Sequence, residues 1–119
     1  MDTRLEQALE YSNFRSILAN RQENLKVLLQ NRLLLTYAGG LFSINNSLIS
    51  LVLSLILSDR QEFIFIDNND VPILIDDLNN FLETILTKYE DALSSYYKNY
   101  QKLNEARKIG KVINWNEED

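Results

Sequence analysis

Apolar positions recur along this chain with two periods, and the places where the period changes divide it into elements. From Thr3 to Arg32, the residues Tyr11, Phe14, Leu18, Arg21, Leu25, Leu28 and Arg32 fall at alternating spacings of three and four. That is a heptad seam, the pattern that lets one helix lie along another. Arg21 interrupts it, with its stem packed and its head reaching water, and Leu5 and Leu9 carry the apolar face toward the start of the chain. A helix over 3–32 rises roughly 45 Å. One small core does not bury that length, so the excess projects or meets a partner.

The pattern then shortens. Residues 33–44 place Ala38-Gly39-Gly40 between two apolar runs, which predicts a β-hairpin because glycine accepts the positive φ of tight turns. The alternative is a helix cap at Gly39 followed by an irregular loop. Residues 44–58 form the most apolar window and predict a short buried helix over 46–58, with Asn45 or Asn46 able to cap it and Ser47, Ser50, Ser54 and Ser58 on one narrow stripe. A helix apolar almost all round is expected to be covered almost all round. Residues 62–75 read as a second hairpin. Glu62 to Ile66 is strand-like, Asp67 to Asp70 is a turn, and Val71 to Ile75 returns, with Pro72 at an edge or bulge. Asp76 and Asp77 open a last helix over 76–109, whose seam runs through Leu78, Leu82, Ile85, Tyr89, Ala92, Tyr96, Asn99, Leu103 and Ala106. Gly110 is the expected stop, followed by a tail over 110–119.

The expected fold is mainly α with small β, in one domain over 1–119. Two long antiparallel coiled-coil helices are joined by two β-hairpins and a short buried helix. The hairpins cannot cover both faces of 63–66 and the central helix as well. Phe63, Ile64, Phe65 and Ile66, with Leu53 and Ile56, are therefore the expected oligomer interface. If the long helices pair, Leu5 and Leu9 end near Ile109, Val112, Ile113 and Trp115, an apolar tip suited to gripping a client or partner chain. The competing reading of that tip is a frayed tail with an incidental tryptophan.

Composition narrows the chemistry. The 119 residues are 45% hydrophobic, which argues against disorder, and contain neither cysteine nor histidine. The usual zinc sites and any Ser-His or Cys-His nucleophile pair are excluded. Asp67, Asp70, Asp76 and Asp77 could offer oxygens to Ca²⁺ or Mg²⁺, but their spacing lacks the D-x-D-x-D-G pattern, and turn and capping roles explain each of them. Neither enzyme activity, cofactor nor metal is expected. The net charge of −5 opposes general nucleic-acid binding. The charge is uneven, acidic over 59–91 and leaning basic over 15–32 and 98–111. Tyr89, Tyr96, Tyr97 and Tyr100, with Lys88, Lys98, Lys102, Arg107 and Lys108, could stack bases and hold phosphates, or simply serve the seam and the solvated face. The apolar run 48–57 falls short of the about 20 residues a bilayer span needs. The chain opens without a signal-peptide pattern, so a cytoplasmic location is expected.

Two stretches carry a family resemblance. Tyr37-Ala38-Gly39-Gly40-Leu41-Phe42-Ser43-Ile44 is similar to the glycine-containing first hairpin of alpha-type prefoldin subunits, and Phe63 to Leu82, FIFIDNNDVPILIDDLNNFL, is similar to their second hairpin running into the last helix. The chain departs from that family in carrying Asn68-Asn69 where the second turn usually holds glycine, and in a longer, more apolar segment between the hairpins. The resemblance implies hairpins that join subunits, as homo-oligomer or with related subunits, and helix tips that hold non-native chains. That is a chaperone, holdase or assembly factor. The stretch from Leu5 to Asn13 also resembles small uncharacterised marine cyanophage proteins, which supplies a possible source and no activity; the alternative reading is a viral structural or assembly protein, in the host cytoplasm, that uses its helices as a fixed interface. A nucleic-acid-associated factor using the Tyr/Lys face is the third.

Overall fold

The structure, a computed structural model, describes the backbone over residues 3–118 and the side chains over residues 3–108. The elements are α1 (Thr3–Arg32), β1 (Leu34–Tyr37), β2 (Gly40–Ser43), α2 (Asn46–Leu57), β3 (Phe63–Ile66), β4 (Pro72–Ile75) and α3 (Leu78–Glu118). The fold is mainly helical, with β1 and β2 forming one small antiparallel hairpin and β3 and β4 another. Length predicts one domain over 1–119, whereas the chain divides into two compact units. One is Met1–Leu28 with Ser95–Asp119, and the other is Leu29–Ser94.

Within Leu29–Ser94, each element ends for a local reason. The Leu33 amide reaches back to the Leu29 carbonyl at 3.1 Å and closes α1. The first hairpin turns through Ala38 and Gly39, which have φ of 52° and 83°, as a two-residue primed turn requires. The expected Gly-Gly turn is thus displaced by one residue. Gly40 instead pairs with Tyr37, and a Cβ there would stand 2.6 Å from Ile73 Cγ1. Asn45 caps α2, its side chain accepting from the Leu48 amide at 2.8 Å. Asp59, with φ of 62°, ends α2 as the Arg60 amide bonds the Leu55 carbonyl and the Asp59 amide bonds the Ile56 carbonyl. This is a Schellman stop with aspartate in the glycine position.

The second hairpin turns through 68–70. The Asp70 amide bonds the Asp67 carbonyl at 3.1 Å, the Asp67 amide bonds the Val71 carbonyl at 3.0 Å, and Asp70 has φ of 62°. That is a three-residue loop whose last residue is left-handed. Asp70 takes the left-handed position of this turn, aspartate being one of the few side chains that visits this region. Ladder pairs alternate in hydrogen bonding from the Asp67–Val71 pair outward. The Ile66–Pro72 pair then needs no amide from Pro72, consistent with the edge position expected for it. Asp77 caps α3, accepting from the Asn80 amide at 3.0 Å.

The core of this unit is Leu35, Phe42, Ile44, Val52, Leu55, Phe65, Ile73, Ile75, Leu78, Phe81 and Ile85. Phe81, fully buried, is its hub, with ring centroids 4.8 Å from Tyr37, 5.5 Å from Phe42 and 5.4 Å from Phe65. Burying such a ring stabilises by roughly 1.5–3 kcal/mol. Here α2 differs from the expectation of cover all round. It buries Val52 and Leu55, packs Leu48, Ile49 and Ile56 partly against the core, and leaves Leu51, Leu53 and Leu57 exposed. Its serines lie on the open side. Ser54 and Ser58 hydroxyls donate to the Ser50 and Ser54 carbonyls at 2.8 and 2.9 Å, so their polar groups are met by the helix itself.

Within the other unit, α1 and α3 run antiparallel. Residues 21–25 of α1 share a cleft with 99–103 of α3, whereas 11–19 share one with Arg107. Leu18 and Leu103 are buried. The seam of α3 holds as predicted, each position from Leu78 to Ala106 being buried or half-buried. The seam of α1 shifts. Phe14, Leu18, Gln22, Leu25, Leu29 and Leu33 face inward, while Arg21, Leu28 and Arg32 are exposed. Steps of four, four and three follow the natural 3.6-residue turn more closely than strict heptads do. Helix α3 also continues through Gly110 to Glu118, where a stop and a tail over 110–119 were predicted. A glycine inside a helix costs about 1 kcal/mol relative to alanine and does not by itself end it.

Candidate functional site

The inward face of the β3–β4 hairpin explains its outward face. Register pairs Phe63 with Ile75, Ile64 with Leu74, Phe65 with Ile73 and Ile66 with Pro72. Side chains alternate across a strand, so Phe65, Ile73 and Ile75 enter the core while Ile64, Ile66, Pro72 and Leu74 point out. Ile64, Ile66 and Leu74 are 60%, 71% and 55% exposed, and Val71 beside them is 47% exposed. Large aliphatics on both faces of a two-stranded sheet leave one face without cover from this chain. Exposed carboxylates flank its strands in sequence, with Glu62 before β3, Asp70 in the turn and Asp76 after β4, and Arg60 is the one cation in the segment 59–77.

Asp67 holds this hairpin in place. Its Oδ2 accepts from the Leu41 amide at 3.0 Å, and its Oδ1 accepts from the Asn69 and Val71 amides at 2.9 Å each. The side chain is 7% exposed. The Leu41 amide foremost, then those of Val71 and Asn69, hold its carboxyl below the ordinary value of 3.8, against the opposing effect of burial. Alongside it the Asn68 amide bonds the Leu41 carbonyl and the Asn68 side chain donates to the Ser43 hydroxyl, both at 2.8 Å. The turn of one hairpin is thus latched to the strand of the other. Asp-Asn-Asn-Asp signals a turn and an Asp accepting from its own loop. Nothing in the sequence signals the bond to Leu41, twenty-six positions away.

The residues predicted for an oligomer interface separate. Ile64 and Ile66 lie on the open face, Phe63 shares the inner face with Phe65 yet stays 36% exposed at the start of its strand, and Leu53 is exposed on α2. Phe65 is a core residue and Ile56 packs partly against the core; neither is free for a partner, because the hairpin's pleat and the helical turn aim them inward. Of the predicted tip, Leu5 and Leu9 are about half exposed, and the side chains of Ile109, Val112, Ile113 and Trp115 lie outside those the structure describes. The Tyr/Lys face is divided as well. The Tyr89 hydroxyl donates to the Asn46 side chain at 3.1 Å, Tyr96 and Tyr100 are half-buried with rings 6.2 Å apart, and Tyr97 alone is open, at 64%. Of the clustered aspartates, Asp67 latches, Asp70 turns and Asp77 caps. Among the described residues no group of three or more acidic side chains is placed to hold a metal ion. No described helix is long and apolar enough to cross a membrane.

In the unit of Met1–Leu28 with Ser95–Asp119, a cleft of about 440 Å³ is lined by Tyr11, Phe14, Arg15, Leu18, Ala19 and Arg107. Arg15 lies over the Tyr11 ring, 5.8 Å from its centroid, and Arg107 donates to the Gln22 side chain. Among its described lining residues, the cleft combines an apolar floor with two guanidinium groups and no carboxylate. Comparison of the chain with known protein families, with curated proteins and with solved structures finds no match.

Proposed function

We infer that this protein is a non-enzymatic assembly protein that oligomerises through its hairpin unit and uses its long helices to hold other chains, in the manner of a prefoldin-like holdase or assembly factor. The observation that carries this reading is the uncovered apolar face of Ile64, Ile66, Pro72 and Leu74, continued in kind by Leu51, Leu53 and Leu57 on α2. Apolar groups exposed together mark interaction surfaces. The paired helices of α1 and α3 support the second half of the reading, since they bury only a narrow seam and leave Leu5, Leu9, Tyr11 and Ile17 exposed. The reading is tested by sedimentation at two protein concentrations together with suppression of aggregation of a heat-denatured test enzyme. Assembly with suppression is the expected result. A monomer that leaves aggregation unchanged overturns it, and assembly without suppression turns the reading to a structural protein, such as a phage assembly component.

A further inference from the structure

The two surfaces described above are complementary. The β3–β4 face is apolar with an acidic rim, and the α1–α3 cleft is apolar with a basic lining. Neither Arg15 nor Arg107 is ion-paired among the described residues; a ring and an amide are their partners. Pairing the hairpin faces of two copies with each other would bring Glu62, Asp70 and Asp76 of both copies to one interface, where like charges repel. Set against the cleft, the same carboxylates meet arginines. Ile64 and Leu74, a directly opposed pair, present a blunt apolar ridge, and a cleft of about 440 Å³ is within the range that holds such groups.

We propose that the cleft lined by Tyr11, Phe14, Leu18, Arg15 and Arg107 receives the outward face of the β3–β4 hairpin of a second copy of this chain. Such a contact joins two different patches and is heterologous. Repeated, it closes into a ring or extends as a filament. It rests on the oligomeric part of the function inferred above and names the partner surface.

A heterologous contact has a decisive test, because two damaged copies still share one intact contact. One variant carries Arg15→Glu with Arg107→Glu and keeps its hairpin face; the other carries Ile64→Asn with Leu74→Asn and keeps its cleft. Each alone is expected to sediment as a monomer at a concentration where the unaltered protein assembles. An equimolar mixture is expected to give a one-to-one dimer and nothing larger, dissociating as salt is raised across the range that screens exposed ion pairs. Helicity by circular dichroism confirms that each variant folds. A double variant that does not is replaced by Arg15→Gln or Ile64→Thr in the same design. A mixture that stays monomeric while the unaltered protein assembles overturns this proposal alone, as does a cleft variant that assembles as well as the unaltered chain. An unaltered protein that is monomeric throughout overturns this proposal and the oligomeric reading together.

Discussion

The two hairpins are built to the same plan and finished differently. Each pairs two strands of four residues, and each sends a ring, Phe42 or Phe65, against Phe81. Their inner faces both enter the core, through Leu35 and Phe42 in the first and Phe65, Ile73 and Ile75 in the second. Their outer faces are not alike: β1–β2 shows Leu34, Thr36, Leu41 and Ser43, whereas β3–β4 shows Ile64, Ile66, Pro72 and Leu74. Inner faces answer to the shared core, so they converge. Outer faces answer to whatever lies beyond the chain, so they are free to differ. A hairpin finished for water needs polar groups there, and the second one lacks them. The turns differ too. The first spends its positive φ on Ala38, which resists it, and the second on Asp70, which tolerates it.

The largest way to break this comparison removes what the hairpins share. Phe81→Ala should destabilise the fold by about 3–5 kcal/mol. Urea unfolding followed by far-ultraviolet circular dichroism for the helices, and by near-ultraviolet circular dichroism for the packed aromatic rings, should show both signals moving to lower urea together. A shift in one signal alone would mean that the hairpins do not depend on one core.

A smaller effect probes the approach of one hairpin to the other. Gly40→Ala places a Cβ against buried Ile73 and should cost about 1–3 kcal/mol. Ile73→Val, which removes an atom close to the new Cβ, should cost less in the Gly40→Ala background than in the unaltered chain. Simple additivity of the two changes would show that the contact does not set the spacing.

The latch is sharpened by pH. The folded-state pKa of Asp67 lies below its ordinary value of 3.8. Its contribution is therefore fully present above that value and is lost as pH falls through the lower, folded one. Asp67→Asn keeps an acceptor for the loop amides but turns an NH₂ group toward Leu41 or gives up that bond. The melting temperature should fall at neutral pH, and part of the acid-induced loss seen in the unaltered protein should disappear. An acid limb unchanged in the variant would assign that loss to other carboxylates.

The smallest effects lie in the turns. Ala38→Asn makes an Asn-Gly turn and should stabilise by about 1 kcal/mol. Asp70→Gly should gain less, since aspartate already tolerates φ of 62°. Denaturant midpoints rank the two, and the reverse order would contradict the assignment of strain to the first turn.

The features that residue order alone dictates are local. The order of elements, the positions of both hairpins, the Asn45 cap and the whole seam of α3 were legible because period, turn chemistry and capping act over a few residues. Four features were decided only by tertiary structure. Gly40 reads as a turn residue, but its need is for space beside Ile73, a partner thirty-three positions away. Asp67 reads as a loop former, but its carboxylate finds the Leu41 amide because the core draws the two hairpins together. The seam of α1 passes through Gln22 and not Arg21, since the helix keeps its own 3.6-residue turn and Gln22 meets Arg107. The most apolar window of the chain reads as a fully covered helix, yet α2 is covered on one side only. Hydrophobicity records how much surface a segment would bury. Which side is buried, and by what, depends on neighbours that arrive from elsewhere in the chain.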